Sequence, residues 1–348
     1  MPHGVEMGRL PSFDDASQAS DIGVQPSIVT AAIPPTQAPM TPRTWVTADA
    51  RGAFLLSAHG KRTSLHRRLA SLSRKPLEHV PGIFTILSPA KSLQMDGADE
   101  ATCRFETTRP RFSAQTRALV GELRGRSSRS LEALMSISAP LAELNAERWQ
   151  QFGRRANPRG AAAMCFRGDV YQGLEAWTLG KRSLDWAQDH VRILSGLYGL
   201  LRPLDTIQPY RLEMGTKLPT DAGKDLYAFW GERLSRTLKK DMAAAKADTL
   251  INLASDEYAK AARLRELELD VLDVKFLQKQ GGEQKFISFY AKRARGLMAR
   301  WMAENRPRSV SELAQFDLEG YRFRAKESGD GLMVFSRPRP AAASKKAG

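Results

Sequence analysis

Apolar residues gather in short runs along residues 83–337, and their spacing alternates between strand-like and helix-like. Ile83 to Leu87 is an apolar run closed by Ser88-Pro89, which predicts a buried strand. A polar stretch from Gly97 to Arg111 predicts a surface loop. Helical spacing follows over 113–125 and 128–136, and Ser138-Ala139-Pro140 reads as a cap opening a helix that runs to about Phe152. Ala161 to Phe166 predicts a strand, and Val170 to Trp177 and Leu184 to Leu194 predict helices. A longer helix is expected over Lys224 to Lys240, where Leu226, Phe229, Trp230, Leu234 and Leu238 share one face. Thr249 to Leu253 is the next strand, followed by Val271 to Leu277 and Lys285 to Tyr290 around a Gly281-Gly282 turn. A helix over Ala291 to Asn305 and a strand over Leu332 to Phe335 complete the pattern. Strands and helices intermingle throughout, which predicts an α/β fold, with mixed α+β as the alternative, in one large domain.

Residues 1–82 are patterned differently. Pro, Ser, Ala and Thr dominate from Pro26 to Pro42, and no apolar period persists. Basic residues outnumber acidic ones eight to one between Arg43 and Lys75. A basic, serine-rich segment can be an organelle transit peptide or an arm that touches nucleic acid. Asp14, Asp15 and Asp21 argue against the first. The favoured reading is a passive, disordered extension or a start placed too far upstream. The domain is therefore expected over 83–337, with a basic tail over 338–348.

The chain of 348 residues carries a formal charge of +15, with 42% hydrophobic and 26% charged residues. Residues 1–82 hold nine basic and six acidic residues, so most of the excess belongs to the body. The charge points to nucleic acid, an acidic surface or an anionic substrate, although a basic proteome would also produce it. No apolar run is long enough for a membrane-spanning helix. Two cysteines, Cys103 and Cys165, cannot build a disulfide framework, which suits a reducing cytoplasm. Four of the five histidines precede residue 83, leaving His190, which reads as a packed or helix-terminal residue. With no metal-ligand spacing, no Walker A and no G-x-G-x-x-G, no metal and no cofactor is expected.

Four stretches could carry chemistry. Ser88-Pro89-Ala90-Lys91 has the S-x-x-K spacing of serine acyl-enzymes, but no K-T-G accompanies it. Anion binding at a strand end or a plain turn explains it better. Ser195-Gly196-Leu197-Tyr198-Gly199 offers a Gly-x-x-Gly turn of the helix-hairpin-helix kind, whose glycines would let backbone amides approach phosphates. Bare spacing favours a Gly-capped helix end instead. Arg202, Asp205, Tyr210, Arg211 and Glu213 crowd a loop stiffened by Pro203 and Pro209, which suggests a cleft lining or an ion-paired loop. Tyr290 to Arg300 opens a basic helix in which Ala294, Leu297, Met298, Trp301 and Met302 form the buried stripe and Arg293, Gly296 and Arg300 share another face. There Gly296 would admit a phosphate backbone, or the arginines would simply be solvated.

Taken together, six blocks resemble the YaaA peroxide-stress proteins of bacteria. They are Leu87 to Leu93, Phe166 to Leu174, Leu194 to Asp205, Pro209 to Gly215, Ile251 to Tyr258 and Ile287 to Met298, in order from Ile83 to about Arg337. The resemblance implies a cytoplasmic protein that limits peroxide damage to DNA and is linked to lower free iron. It implies an α/β domain with a basic cleft and a helix-hairpin-helix-like element, here placed at Ser195–Gly199. It also implies binding of duplex or branched DNA without base specificity, and no established catalytic mechanism. The candidate DNA contacts are then Lys91, Ser195, Gly196, Leu197, Tyr198, Gly199, Arg202, Arg211, Lys292, Arg293 and Arg295. About six neutralised phosphates would give a salt slope of roughly −5. The competing expectation is an enzyme acting on a nucleotide or damaged base, with Ser88, Lys91, Asp169, Glu213 and Asp256 as catalytic candidates. It requires those side chains to converge. A scaffold that binds protein partners finds no support in the pattern.

Overall fold

The computed structural model describes residues 82–96 and 105–340. All of the expected extension over 1–82 except Gly82, together with Cys103 and residues 341–348 of the expected tail over 338–348, lies outside the described residues.

The centre is an eight-stranded sheet in the order β11-β12-β9-β8-β1-β5-β6, with β10 hydrogen-bonded to β9. Its strands are β1 (Gly82–Leu87), β5 (Val191–Ser195), β6 (Gly199–Leu201), β8 (Ala247–Leu253), β9 (Asp270–Gln280), β10 (Glu283–Lys285), β11 (Arg322–Phe323) and β12 (Leu332–Pro338). The inner run β12-β9-β8-β1-β5 is parallel, while β6, β10 and β11 add antiparallel edges. Two short pairs, β2 (Ser92–Leu93) with β4 (Phe166–Arg167) and β3 (Gly160–Ala161) with β7 (Thr206–Ile207), stand outside it.

The continuous apolar runs of β1 and β5 follow from burial on both faces, as parallel sheets require. From β1, Thr85 Oγ1 points at Met302 Sδ at 3.7 Å, whereas Phe84, on the opposite face, lies under the Arg192 guanidinium at 4.9 Å. Met302 belongs to α10 (Ser288–Asn305), which packs with α6 (Lys181–His190). Arg192 reaches Asp241 of α8 (Arg233–Ala244) on the other side. The remaining helices are α1 (Ser113–Arg124), α2 (Ser128–Met135), α3 (Ala139–Gln151), α4 (Ala162–Cys165), α5 (Asp169–Leu174), α7 (Leu226–Trp230), α9 (Asp256–Ala261) and α11 (Val310–Leu313).

The α/β expectation holds, and its exceptions have local causes. Leu184 to Leu194 is not one helix. It ends at His190, and Val191–Ser195 becomes a strand because its apolar residues insert beside β1. The Gly-x-x-Gly stretch is therefore the turn of a β-hairpin between β5 and β6, not a helix-hairpin-helix. Ala161 to Phe166 is interrupted by α4, and the helix expected over Lys224–Lys240 breaks at Gly231 into α7 and α8. The strand expected over Lys285–Tyr290 ends at Lys285, and α10 begins at Ser288.

Helices α5 and α10 cross at two glycines. A Cβ on Gly296 would sit 1.7 Å from Val170 O, and one on Gly173 would sit 2.2 Å from Arg293 O. Gly296 is thus spent on helix contact, not on phosphate approach. Ala294, Leu297, Met298, Trp301 and Met302 form the buried stripe the sequence predicts for α10.

Candidate functional site

The chain leaves β1 toward β5 on one side, and leaves β8 toward β9 on the other. The switch point of the sheet lies between β1 and β8, where ligands of open α/β sheets characteristically bind. Ser88 follows β1 and Ser255 follows β8, and the Ser255 N–H donates to Ser88 Oγ at 2.9 Å. Beside this bond opens a cleft of about 440 Å³, within the range of small-molecule sites.

Five segments supply its walls. The turn after β1 gives Ser88 and Lys91; the β4–α5 junction gives Arg167, Asp169 and Tyr171; the loop after Pro209 gives Tyr210, Arg211 and Glu213. The start of α9 gives Ser255, Glu257 and Tyr258, and α10 gives Lys292 and Arg295. Cations outnumber carboxylates five to three along this lining.

Glu213 is the electrostatic pivot. Its Oε2 lies 2.6 Å from Lys91 Nζ, and its Oε1 lies 3.0 Å from the Arg211 guanidinium. Glu257 Oε1 accepts from the Gly215 N–H at 2.7 Å, which pins the same loop. Arg167 is held by Gln94 Oε1 and the carbonyls of Met164 and Phe166, and it stacks on Trp177 at 4.3 Å. Burial lowers its pKa.

Arg295 is different. Its side chain makes no hydrogen bond or ion pair with any described residue. Burial lowers its pKa, and the nearby carboxylates of Asp256 and Asp273 offset this only in part. The side chains of Lys292 and Asp169 also make neither a hydrogen bond nor an ion pair among the described residues. Two cations and one carboxylate are thus open to a ligand. Burial raises the phenol pKa values of Tyr171 and Tyr258, so both stay neutral. Tyr171 donates to Ser88 O at 3.1 Å.

The candidates from sequence divide clearly. Ser88, Lys91, Asp169, Glu213, Arg211, Lys292 and Arg295 meet at the cleft. Asp256 is exposed beside it, while its neighbours Ser255 and Glu257 form the wall. The Ser-Lys acyl-enzyme arrangement is absent: Ser88 Oγ is engaged with Ser255, and the Lys91 amine with Glu213. Arg202 is locked onto the buried Asp205 carboxylate at 2.9 Å. Arg293 bonds Glu319 at 2.7 Å and Gln172 O at 2.9 Å, closing the end of α5. Arg300 caps the same end through Leu174 O and Thr178 Oγ1. His190 ends α6, stacked on Trp186 at 4.6 Å and away from the cleft.

Ser195, Gly196, Leu197, Tyr198 and Gly199 are buried. Their glycines serve packing. A Cβ on Gly196 would lie 2.5 Å from Leu212 O, and one on Gly199 (φ +72°) 2.7 Å from the Trp230 ring. The hairpin thereby seats the loop whose Arg211 and Glu213 face the cleft. Ser195 Oγ bonds Tyr210 OH at 2.7 Å and accepts from the Tyr198 N–H. Arg167, Ser255, Glu257 and Tyr258 were missed individually by sequence reasoning, although each lies in a motif block that signalled the region. Among the described residues, no group of three or more His, Cys, Asp or Glu side chains is placed to hold a metal ion. No described helix is long and apolar enough to cross a membrane.

Comparison with known proteins bears on this cleft. Residues 83–327 match the family model of the peroxide stress protein YaaA. A UPF0246 protein of Maricaulis maris is 45% identical over 265 residues, covering 76% of this chain and 100% of the relative. One from Phenylobacterium zucineum is 48% identical over 258 residues, covering 74% of this chain and 96% of its own. One from Burkholderia mallei is 47% identical over 259 residues, covering 73% and 98%.

Proposed function

The chain belongs to the YaaA peroxide stress protein family, and on that premise we propose that it protects DNA during peroxide stress by holding backbone phosphate of duplex or branched DNA in this cleft. The observation that carries this reading is the meeting of Lys91, Arg211, Lys292 and Arg295 at the switch point, with Arg295 unpaired among the described residues. Preformed cations in a partly desolvated cleft attract a phosphate more strongly than solvated ones do. Contacts through backbone phosphate carry no base specificity. The acting cations are fewer than the six the sequence suggests, because Arg202 and Arg293 are committed to structural pairs. Glu213 offsets one of the remaining four charges by pairing Lys91 and Arg211, so about three neutralised phosphates give a log K against log[salt] slope of about −2 to −3.

The test is anisotropy of labelled single-stranded, duplex and four-way-junction DNA with the full chain across a salt series. The double substitution Lys292→Glu and Arg295→Glu should abolish binding while circular dichroism and the unfolding temperature hold. Wild-type affinity in that variant would sink the reading.

Asp169 favours a second reading, an enzyme acting on a nucleotide or damaged base. A carboxylate that no described residue pairs, set beside cations, can serve as general acid or base. Incubation with oligonucleotides containing oxidised bases, followed by mass spectrometry, tests it against Asp169→Asn. Lower free iron would then follow indirectly from the DNA or nucleotide chemistry. A cytoplasmic location is part of the same proposal.

A further inference from the structure

Strand β9 outruns its neighbour. Its pairing with β8 ends at Asn252 opposite Asp273, yet β9 continues to Gln280 with β12 and β10 as partners. At about 3.3 Å per residue this arm rises roughly 20 Å past the carboxyl edge of β8, the edge on which the cleft opens. The chain returns along β10 and enters α10, whose Lys292 and Arg295 line that cleft.

The return carries a feature that the candidate site does not use. Phe286 and Phe289 are 59% and 51% exposed. Only one other large apolar side chain among the described residues, Leu144, is comparably exposed. Water-facing phenyl rings forgo the stabilisation that burial would give them. Phe289 packs edge-on against Tyr290 at 5.4 Å, which orients its ring. It lies three positions before Lys292, so the two are neighbours on one helix face. The same arm carries exposed Lys275, Lys279 and Lys285, with Glu283 pairing Lys285 and Asp273 also exposed.

Exposed rings interleaved with lysines are the composition of a single-strand platform, in which bases stack and phosphates meet the cations. We propose that Phe286 and Phe289 form a stacking platform for unpaired bases of a single-stranded nucleic acid whose phosphates lead along Lys292 into the cleft. The inference rests on the reading of that cleft as a phosphate site. It adds the preference that cations alone cannot create: unpaired strands over duplex, since paired bases have no free faces to stack.

The experiment uses the full chain, a fluorescein-labelled oligothymidylate, a hairpin duplex, and an oligothymidylate with one 2-aminopurine. Phe286→Ala and Phe289→Ala should each weaken single-strand binding about ten-fold, leave duplex binding and the salt slope unchanged, and abolish the 2-aminopurine quenching seen with wild type. Phe289→Trp should restore both affinity and quenching. Single-strand affinity equal to wild type in both alanine variants overturns the platform while leaving the cleft reading intact. Equal losses on single strand and duplex, with a lowered unfolding temperature, overturn it as a folding effect. Absence of binding to any of the three probes by wild type overturns the cleft reading and the platform together.

Discussion

The backbone N–H of Ser255 donates to the hydroxyl of Ser88 at 2.9 Å, across 167 residues of chain. This bond ties the ends of the two central parallel strands at the point where their connections diverge. It sets the floor of the cleft and occupies the hydroxyl that the S-x-x-K spacing would otherwise offer as a nucleophile.

Ser88→Ala should therefore behave as a structural variant. It removes the acceptor for a part-buried N–H, which costs about 1–3 kcal/mol. Thermal unfolding should shift down accordingly while DNA affinity per folded molecule stays within a few-fold of wild type. An unchanged unfolding temperature with all activity lost would instead identify Ser88 as a reacting group.

Glu213 holds Lys91 and Arg211 together. Glu213→Gln removes one negative charge from the cleft and frees both cations. Anion affinity should rise several-fold, and the salt slope should steepen by about one. The salt series used for wild type measures both. A weaker slope would mean that the carboxylate itself contacts the ligand.

Gly296 has no room for a methyl group, since its Cβ would meet Val170 O at 1.7 Å. Gly296→Ala should separate α5 from α10 at a cost of about 3 kcal/mol or more. Denaturant titration should give a lower midpoint, or the variant should fail to accumulate as soluble protein. Gly121, with nothing near its Cβ position, provides the control. Gly121→Ala should be neutral or slightly stabilising, because it lies within a helix.

Asp241 links α8 to Arg192 at the edge of the core and to Arg111. Burial alone would raise its pKa, but hydrogen bonds and charge from Arg111 and Arg192 hold it below the ordinary carboxylate value. The folded state therefore binds its proton less readily than the unfolded chain does. The stability this contributes is complete above an unfolded value of about 3.9 and is lost as pH falls through the lower folded value. Asp241→Asn should flatten that acid limb. At neutral pH it should cost about 3 kcal/mol, because Arg192 is left buried without its partner. Chemical denaturation at a series of pH values resolves both effects.

The local pattern determined much of this protein. The short apolar runs at Ile83–Leu87 and Thr249–Leu253 were legible as strands, and the fold uses both at the centre of the sheet. The period of Ala294, Leu297, Met298, Trp301 and Met302 fixed the inward face of α10. The motif blocks also marked four of the five cleft segments closely enough to name Ser88, Lys91, Asp169, Glu213, Arg211, Lys292 and Arg295. What pattern could not decide was the use of residues whose partners are distant in sequence. Val191–Leu194 suits a helix or a strand by composition, and only the free edge of β1 made it a strand. Gly196 and Gly296 are small in either reading, but Leu212 O and Val170 O occupy the space beside them, leaving none for phosphate. Arg202 and Arg293 resemble Arg295 as basic residues in a motif. Asp205 and Glu319 neutralise the first two, while the Arg295 side chain in the cleft wall has no such pair among the described residues. Local spacing sets which face of an element is apolar; tertiary contact alone sets which charges remain free to act.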